Sequence, residues 1–175
     1  FEGTDVSYQQ LMELDGHLAF DVQSRLFENA LRISHRPDLG LSVGTQLHLS
    51  THGPLGVATF SGPDLRTGLN LLAKYGQTRT DFFNITLREH SEGLKINFAE
   101  TFDLDDLRVF VTESVLSGLF SAITFFVGVG QFKGQVYFAY PKPVYWQKYF
   151  DLFGGTLTFN HSETEIFVPE SMLSA

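Results

Sequence analysis

The spacing of apolar residues predicts helices in the first part of the chain. Apolar side chains recur there every three or four positions, as on one face of an α-helix. Asp21 is a suitable N-cap for the first helix, and Pro37 ends it. Gly40 and Gly44 stand about one turn apart in the second helix, a spacing that allows another backbone to approach closely. The predicted helices cover residues 20–36, 39–47, 54–59 and 65–75.

The period then changes from helical to alternating, which predicts strands. Residues 83–87 and 94–98 alternate apolar and polar side chains around a short turn, the pattern of an antiparallel hairpin with one buried face. The longest helix is predicted over residues 102–126, with Asp103 as a candidate cap and a second half that we expect to be buried all round. The nearly uncharged run 115–129 is shorter than the roughly 20 residues of a membrane span, so no membrane association is expected.

The last third of the chain predicts further strands and one helix. A strand is expected over residues 134–140, a helix over 144–153, and a hairpin formed by 156–160 and 164–168. The order is therefore N-terminal helices followed by β-β-α-β-α-β-β. This order predicts an α+β fold, in which an antiparallel sheet packs with helices, and a single domain over residues 1–175.

Composition adds a question about the aromatic residues. Phenylalanine occurs 18 times, and 43% of the 175 residues are apolar. One interpretation is an aromatic-rich core, because each ring buries a large area. The other is a ring-lined pocket for an apolar or aromatic ligand. The two interpretations are compatible.

Charge and cysteine content exclude several classes of protein. The net charge is −8 and the 12 Lys and Arg residues are scattered, whereas nucleic-acid-binding domains gather basic residues on one face. Direct DNA binding by this chain is therefore not expected. The chain has no cysteine, which excludes disulfides, thiolate nucleophiles and Cys-ligated zinc, and is compatible with a cytoplasmic protein.

The motifs of the common enzyme classes are missing from the sequence. No serine stands in a Gly-x-Ser-x-Gly elbow, and Gly128 and Gly130 lack the spacing of a dinucleotide-binding loop. His48 and His52 have the spacing of zinc-binding histidines, but no Glu lies between them and Gly-Pro follows at once. We therefore expect no enzyme, no metal and no cofactor. A hydrolase acting through His52 or His90 remains as an alternative.

Four polar or small residues form one stripe of the longest predicted helix. Such residues allow another helix to approach closely. The stripe predicts either packing within the domain or a self-association face in a homodimer. Its members are Glu113, Ser117, Ser121 and Thr124.

Several phrases of the sequence, in this order, carry a resemblance to a known family. They are Pro37-Asp-Leu-Gly-Leu-Ser-Val-Gly44, then Leu55-Gly56 with the amphipathic helix that ends at Tyr75, then Pro141, Pro143, Tyr149, Phe153-Gly154 and Phe159-Asn160. Over about residues 18–173, the chain resembles the N-terminal, effector-sensing, arabinose-binding-like domain of AraC/XylS-type bacterial transcription regulators.

The resemblance implies a sensor domain that binds an unknown small-molecule effector, dimerises, or does both. It would thereby control DNA binding by a C-terminal helix-turn-helix domain that the family carries and that we expect to lie outside this chain. The implied regulator is bacterial and cytoplasmic, forms a homodimer, and meets DNA only through that other domain. A small-molecule or lipid carrier without a DNA-binding partner domain is the remaining alternative.

A ligand pocket is expected between the sheet and the N-terminal helices, lined by rings with a few polar anchors. Arg79 and Lys95 would suit an anionic effector. The candidate pocket residues are His52, Phe60, Arg79, Lys95 and Tyr137.

Overall fold

The predicted α+β class is confirmed by the computed structural model, which describes residues 2–9, 18–47, 53–76 and 81–175. Helices precede a five-stranded, mostly antiparallel sheet, and further helices pack with that sheet. The helices before the sheet are α1 (Phe20–Ser34), α2 (Leu39–Gln46), α3 (Gly53–Phe60) and α4 (Leu65–Tyr75).

The ends of these helices follow the local sequence, with one correction. Asp64 is the N-cap of α4, and its carboxylate accepts a hydrogen bond from the Thr67 N–H at 2.8 Å. The prediction of Asp21 as the N-cap of α1 is wrong, because Ala19 holds that position in an extended conformation. Asp21 lies instead in the first turn, where the helix dipole favours a negative charge. His35 ends α1 with a left-handed φ of 52°.

The predicted hairpin at the start of the sheet is confirmed. Its strands pair antiparallel from Phe83 opposite Glu100 to His90 opposite Gly93. A Cβ at Gly93 would lie 2.1 Å from the Val168 carbonyl oxygen, so only glycine fits between these strands. The sheet order is β1-β2-β5-β3-β4. The strands are β1 (Phe83–His90), β2 (Gly93–Glu100), β3 (Gln135–Tyr137), β4 (Thr156–Thr158) and β5 (Thr164–Pro169).

The predicted C-terminal hairpin is wrong. The chain does reverse between β4 and β5, but β4 pairs in parallel with β3, and β5 lies between β2 and β3, antiparallel to both. The central position of β5 buries Ile166 and Val168 completely. A turn signal shows where a chain reverses, whereas strand pairing depends on which arrangement buries the apolar face.

The longest helix is α5 (Arg108–Val127), and it begins later than predicted. A short 3₁₀ turn, Asp105–Leu107, precedes it. The prediction of Asp103 as the cap of this helix is wrong, because Leu107 holds the N-cap position of α5. The Asp103 carboxylate instead accepts a hydrogen bond from the Asp105 N–H at 3.1 Å, ahead of the helix. The C-terminal end of α5 is not buried all round, because Phe125 is 61% exposed.

The segment Asp105–Val127 is long and apolar enough to cross a membrane by length and composition. Half of its most apolar window is buried inside the fold, which is the pattern of a central core helix.

The aromatic-rich core interpretation is confirmed at the end of the sheet. Phe120, Phe138, Tyr149 and Phe153 are almost completely buried. Their rings contact one another, with centroids 5.1 Å apart for Phe138 and Tyr149 and 4.7 Å apart for Phe120 and Phe153. Tyr149 and Phe153 belong to α6 (Gln147–Phe153), which starts three residues later than predicted, and a last helix, α7 (Glu170–Leu173), was not predicted.

Candidate functional site

A cavity of about 430 Å³ lies between the N-terminal helices, α5 and the helix-facing side of the sheet. A cavity was predicted at this position, and its ability to bind a ligand remains a prediction. The described lining residues are Gln23, Phe27, Val43, Leu47, Gly56, Thr59, Leu69, Leu72, Ala73, Gly76, Phe82, Ile85, Ile96, Phe98, Phe110, Val111, Ser114, Val115, Gly118, Leu119, Ser121 and Ala122.

The periodicity of the sequence brings these side chains together. Leu69 and Leu72 belong to the apolar stripe of α4 that the sequence displays. Ile96 and Phe98 of β2 share one face because side chains alternate along a strand. On α5, the lining positions recur at 114–115, 118–119 and 121–122, so a single face of this helix forms one wall.

Few polar groups reach the cavity. The hydroxyls of Ser114 and Ser121 donate to carbonyl oxygens of their own helix, at 2.8 Å and 3.2 Å. The Gln23 side-chain amide donates to the Leu18 carbonyl oxygen at 2.6 Å. The Thr59 hydroxyl is buried and has no hydrogen-bond partner among the described residues. Among the described lining residues there is no Asp, Glu, His, Lys or Arg.

The predicted pocket residues do not line this cavity in the described part of the chain. His52 and Arg79 lie outside the described residues, and Phe60 is the last residue of α3, with a side chain that is likewise outside them. Lys95 and Tyr137 lie on the opposite face of the sheet. Their predicted role in ligand binding remains untested, and it concerns a surface separate from the cavity.

An ion pair and an aromatic contact mark that opposite face. Lys95 Nζ lies 2.8 Å from Glu165 Oε1, and this hydrogen bond raises the pKa of Lys95. The ring of Tyr137 lies 4.7 Å from that of His161, centroid to centroid. Lys95 therefore already has an anionic partner within the protein.

The structure favours packing within the domain for half of the Glu113–Thr124 stripe. Glu113 and Ser117 are completely buried, and α2 covers them. Ser121 lines the cavity, and the Thr124 hydroxyl donates to the Phe120 carbonyl oxygen at 2.8 Å. Self-association through Ser121 and Thr124 remains a prediction, whereas Glu113 and Ser117 are inaccessible while α2 is seated.

Gly40 and Gly44 make this close packing possible, as predicted. A Cβ at Gly40 would lie 2.5 Å from the Phe110 carbonyl oxygen. At Gly44 it would lie 2.4 Å from Ser117 Cβ. Because α2 also supplies Val43 and Leu47 to the cavity, its position on α5 defines one wall of the cavity.

A buried carboxylate, which the sequence reasoning did not identify as a centre of contacts, joins α5 to α6. Glu113 Oε1 lies within hydrogen-bonding distance of the hydroxyls of Tyr149 and Tyr145, the latter at 2.9 Å. Tyr145 Oη also lies 2.7 Å from the Pro37 carbonyl oxygen, just before α2. The four-residue spacing of Tyr145 and Tyr149 was the available signal, because it places both rings on one side of a helical turn.

The geometry suits a protonated Glu113. The hydroxyl of Tyr145 has a single proton, so an ionised Glu113 and Pro37 would compete for it. A protonated Glu113 can donate to Tyr145 Oη and leave that proton for Pro37. Burial raises the pKa of Glu113 to about 7, against the opposing effect of the hydrogen bonds from Tyr149 and Tyr145. Burial also raises the pKa of both tyrosines, so they remain neutral donors.

An ion pair also ties the start of α2 to α6. Asp38 Oδ2 lies 2.5 Å from Lys148 Nζ and 3.1 Å from the Arg36 guanidinium. The hydrogen bonds from Arg36 and Lys148 lower the pKa of Asp38 to about 2. The side chain of Asp38 is only 10% exposed, so this pair is less screened than a surface ion pair.

Within the described residues, no group of three or more His, Asp or Glu side chains is arranged to hold a metal ion. His90, one of the two histidines considered for a hydrolase, packs edge-on against the ring of Phe167. Its Nδ1 accepts a hydrogen bond from the Glu92 N–H at 3.2 Å.

Comparison with known proteins places this architecture in a family. The sequence profile described as the arabinose-binding domain of AraC transcription regulators, N-terminal, matches residues 1–175. The ornithine utilization regulator of Pseudomonas aeruginosa is 27% identical over 173 residues, which cover 99% of this chain and 51% of that protein. The chain thus spans about half the length of this curated relative.

A solved structure has the same fold. The transcriptional regulator CdpR from Pseudomonas aeruginosa aligns with a TM-score of 0.66 and 18% identity, over 91% of this chain and 58% of that chain. At this identity the likeness concerns the fold alone, while the match to the family profile extends over every residue. The chain belongs to the family of N-terminal arabinose-binding domains of AraC transcription regulators.

Proposed function

We propose that this chain is the effector-sensing domain of a bacterial transcription regulator, and that a small molecule bound in the cavity is its signal. The observation that carries the proposal is the cavity between the N-terminal helices, α5 and the sheet. Its volume of about 430 Å³ falls within the range of small-molecule sites, and its lining is mostly apolar, as in such sites.

Other parts of the regulator would read the DNA. The chain has a net charge of −8, which opposes direct contact with phosphates, and it spans about half of the curated relative. The proposed protein is therefore a longer, cytoplasmic, non-enzymatic regulator, whose DNA-binding part responds to the state of this domain.

Helix α2 is the element through which we expect the signal to pass. It supplies Val43 and Leu47 to the cavity wall. Just before it, Asp38 contacts Lys148 of α6, and Pro37 contacts Tyr145, two residues ahead of α6. A ligand that binds more tightly when α2 occupies one position on α5 than when it occupies another would shift the equilibrium between the two positions. Such a shift would reach α6 through these contacts.

The test uses transcription from the regulator's own promoter in cells that express the full-length protein. Gly118→Leu adds bulk at a lining position, against the lining residue Leu47 of α2. Gly118→Ala is its matched control, because a Cβ there meets only ordinary contacts, the nearest at 3.6 Å. We expect promoter activity to vary with growth conditions in wild type and Gly118→Ala, and to become constant in Gly118→Leu. A normal response in Gly118→Leu would refute the cavity as the effector site.

Homodimer formation is a separate part of the proposal. With Glu113 and Ser117 covered by α2, a dimer in this conformation would have to use other residues. Sedimentation of the full-length regulator at several concentrations tests it, and a strictly monomeric protein would leave only the control of DNA-domain docking.

A further inference from the structure

The cavity also indicates the chemical class of its ligand, an inference that rests on the proposed function of this site. We infer that the cavity takes an uncharged, predominantly apolar molecule, and that it rejects sugars and ionised amino acids. The inference stands on the lining residues, on the state of their polar atoms and on the cavity volume.

Charge complementarity is missing from the described lining. A carboxylate or ammonium group placed there would lose its hydration without meeting an opposite charge, which is costly in an apolar environment. The buried acid of α5, Glu113, faces α2 and the two tyrosines and not the cavity lining. The described wall of the cavity therefore favours a neutral ligand.

Hydrogen-bonding capacity is also too low for a sugar. The hydroxyl protons of Ser114 and Ser121 are engaged by helix carbonyl oxygens, and the Gln23 amide nitrogen already donates to the Leu18 carbonyl oxygen. Within the part of the chain that the structure describes, the buried Thr59 hydroxyl lacks a partner. Thr59 and the remaining capacity of Gln23 are few groups for a sugar. A pentose carries several hydroxyl groups, and each one buried without a partner costs about 1–3 kcal/mol. Despite the name of the family, the described lining does not suit arabinose.

The volume sets the size of the ligand. An apolar cavity of about 150 Å³ stays dry and binds benzene. In the same proportion, a cavity of about 430 Å³ accommodates roughly 17 non-hydrogen atoms, for example two or three fused or linked aromatic rings. The rings of the lining residues Phe27, Phe98 and Phe110 would contact such a ligand.

Two fluorescent probes that differ in charge provide the test. N-phenyl-1-naphthylamine is neutral and of about the inferred size, and 8-anilino-1-naphthalenesulfonate is the same skeleton with an added sulfonate. Each is titrated into the purified protein, into Gly118→Leu, and into Asp151→Asn as a control at an exposed position of α6 outside the described lining. Only the component of binding that Gly118→Leu removes is counted, because it reports the cavity and not exposed apolar side chains.

We expect the neutral probe to bind wild type and Asp151→Asn alike, and Gly118→Leu at least about tenfold more weakly. We expect the sulfonate probe to show cavity binding at least about tenfold weaker than the neutral probe, because its charge would be buried unpaired. Arabinose and ornithine at millimolar concentration should not displace the neutral probe.

Failure of this inference can be distinguished from failure of the proposed function. Equal or tighter binding of the sulfonate probe, or displacement by arabinose or ornithine, would overturn the ligand class and leave the cavity as a binding site. Neutral binding that Gly118→Leu does not weaken would overturn the inference altogether. If the probes behave as expected while promoter activity still responds normally in Gly118→Leu, the ligand class stands and the proposed sensing role fails.

Discussion

Gly40 of α2 lies directly against Glu113 of α5: a Cβ at position 40 would lie 2.7 Å from both Glu113 Cβ and Glu113 Oε2. This contact seats α2 on the buried carboxylate, and the same helix forms a wall of the cavity. The packing of α2, the hydrogen bonds of Glu113 and the shape of the cavity therefore depend on one another.

Gly40→Ala is expected to destabilise the protein by about 1–3 kcal/mol, because the added methyl group overlaps backbone and side-chain atoms of α5. Gly118→Ala is the matched control: it makes the same chemical change in a helix, but its Cβ has room. Both changes gain the same helix propensity, so the difference between them reports the contact. Urea unfolding measures it, and equal stabilities would show that α2 does not sit this close to α5.

Ionisation of Glu113 should lower the free energy of unfolding by about 3 kcal/mol as pH rises from about 4.5 to about 7. The sign follows from the raised pKa: in this window the folded protein keeps a proton on Glu113 that the unfolded chain has lost. Above pH 7 the effect is complete. Chemical unfolding at a series of pH values measures it.

Glu113→Gln should abolish this slope, because the amide resembles the protonated acid and cannot ionise. At pH 8 we expect the variant to be more stable than wild type. Glu28→Gln, at an exposed position of α1, should keep the wild-type profile. A Glu113→Gln variant that retains the slope would show that another group causes it.

Asp38 should act in the opposite direction at lower pH. Its pKa is lowered from 3.8 to about 2. It therefore contributes about 2 kcal/mol to the free energy of unfolding above pH 4, and this contribution is lost as pH falls to 2. Asp38→Asn should remove this acid sensitivity, and Asp151→Asn, at an exposed position of α6, should not. For the two groups together, stability is greatest near pH 4–5. Acid unfolding monitored by circular dichroism tests it, and an unchanged acid profile in Asp38→Asn would contradict it.

Tyr145→Phe should cost about 1–2 kcal/mol, because a single hydroxyl contacts both Pro37 and Glu113. Tyr137→Phe is the control, since its hydroxyl lies on the opposite face of the sheet. We expect Tyr137→Phe to change neither stability beyond about 0.5 kcal/mol nor binding of the neutral probe. Thermal unfolding and the probe titration measure both. Loss of probe binding in Tyr137→Phe would restore this residue to the ligand site.

Local interactions determined much of this fold, and these the sequence alone could predict. The cap at Asp64, the apolar stripe of α4, the alternating hairpin and the glycines of α2 depend on residues within a few positions of one another. The family resemblance, carried by phrases spread over the chain, identified the architecture that the profile match confirms.

Contacts between distant segments were decided only in the tertiary structure. The insertion of β5 between β2 and β3 depends on which strands bury Ile166 and Val168, and no turn signal encodes that choice. Glu113 reads in the sequence as one polar position in a helical stripe, and becomes a buried acid only because α2 and two tyrosines close over it. The alternation at 94–98 assigns Lys95 to the polar face of its strand. That Tyr137 shares this face could not be deduced, because it depends on β5 pairing with both β2 and β3.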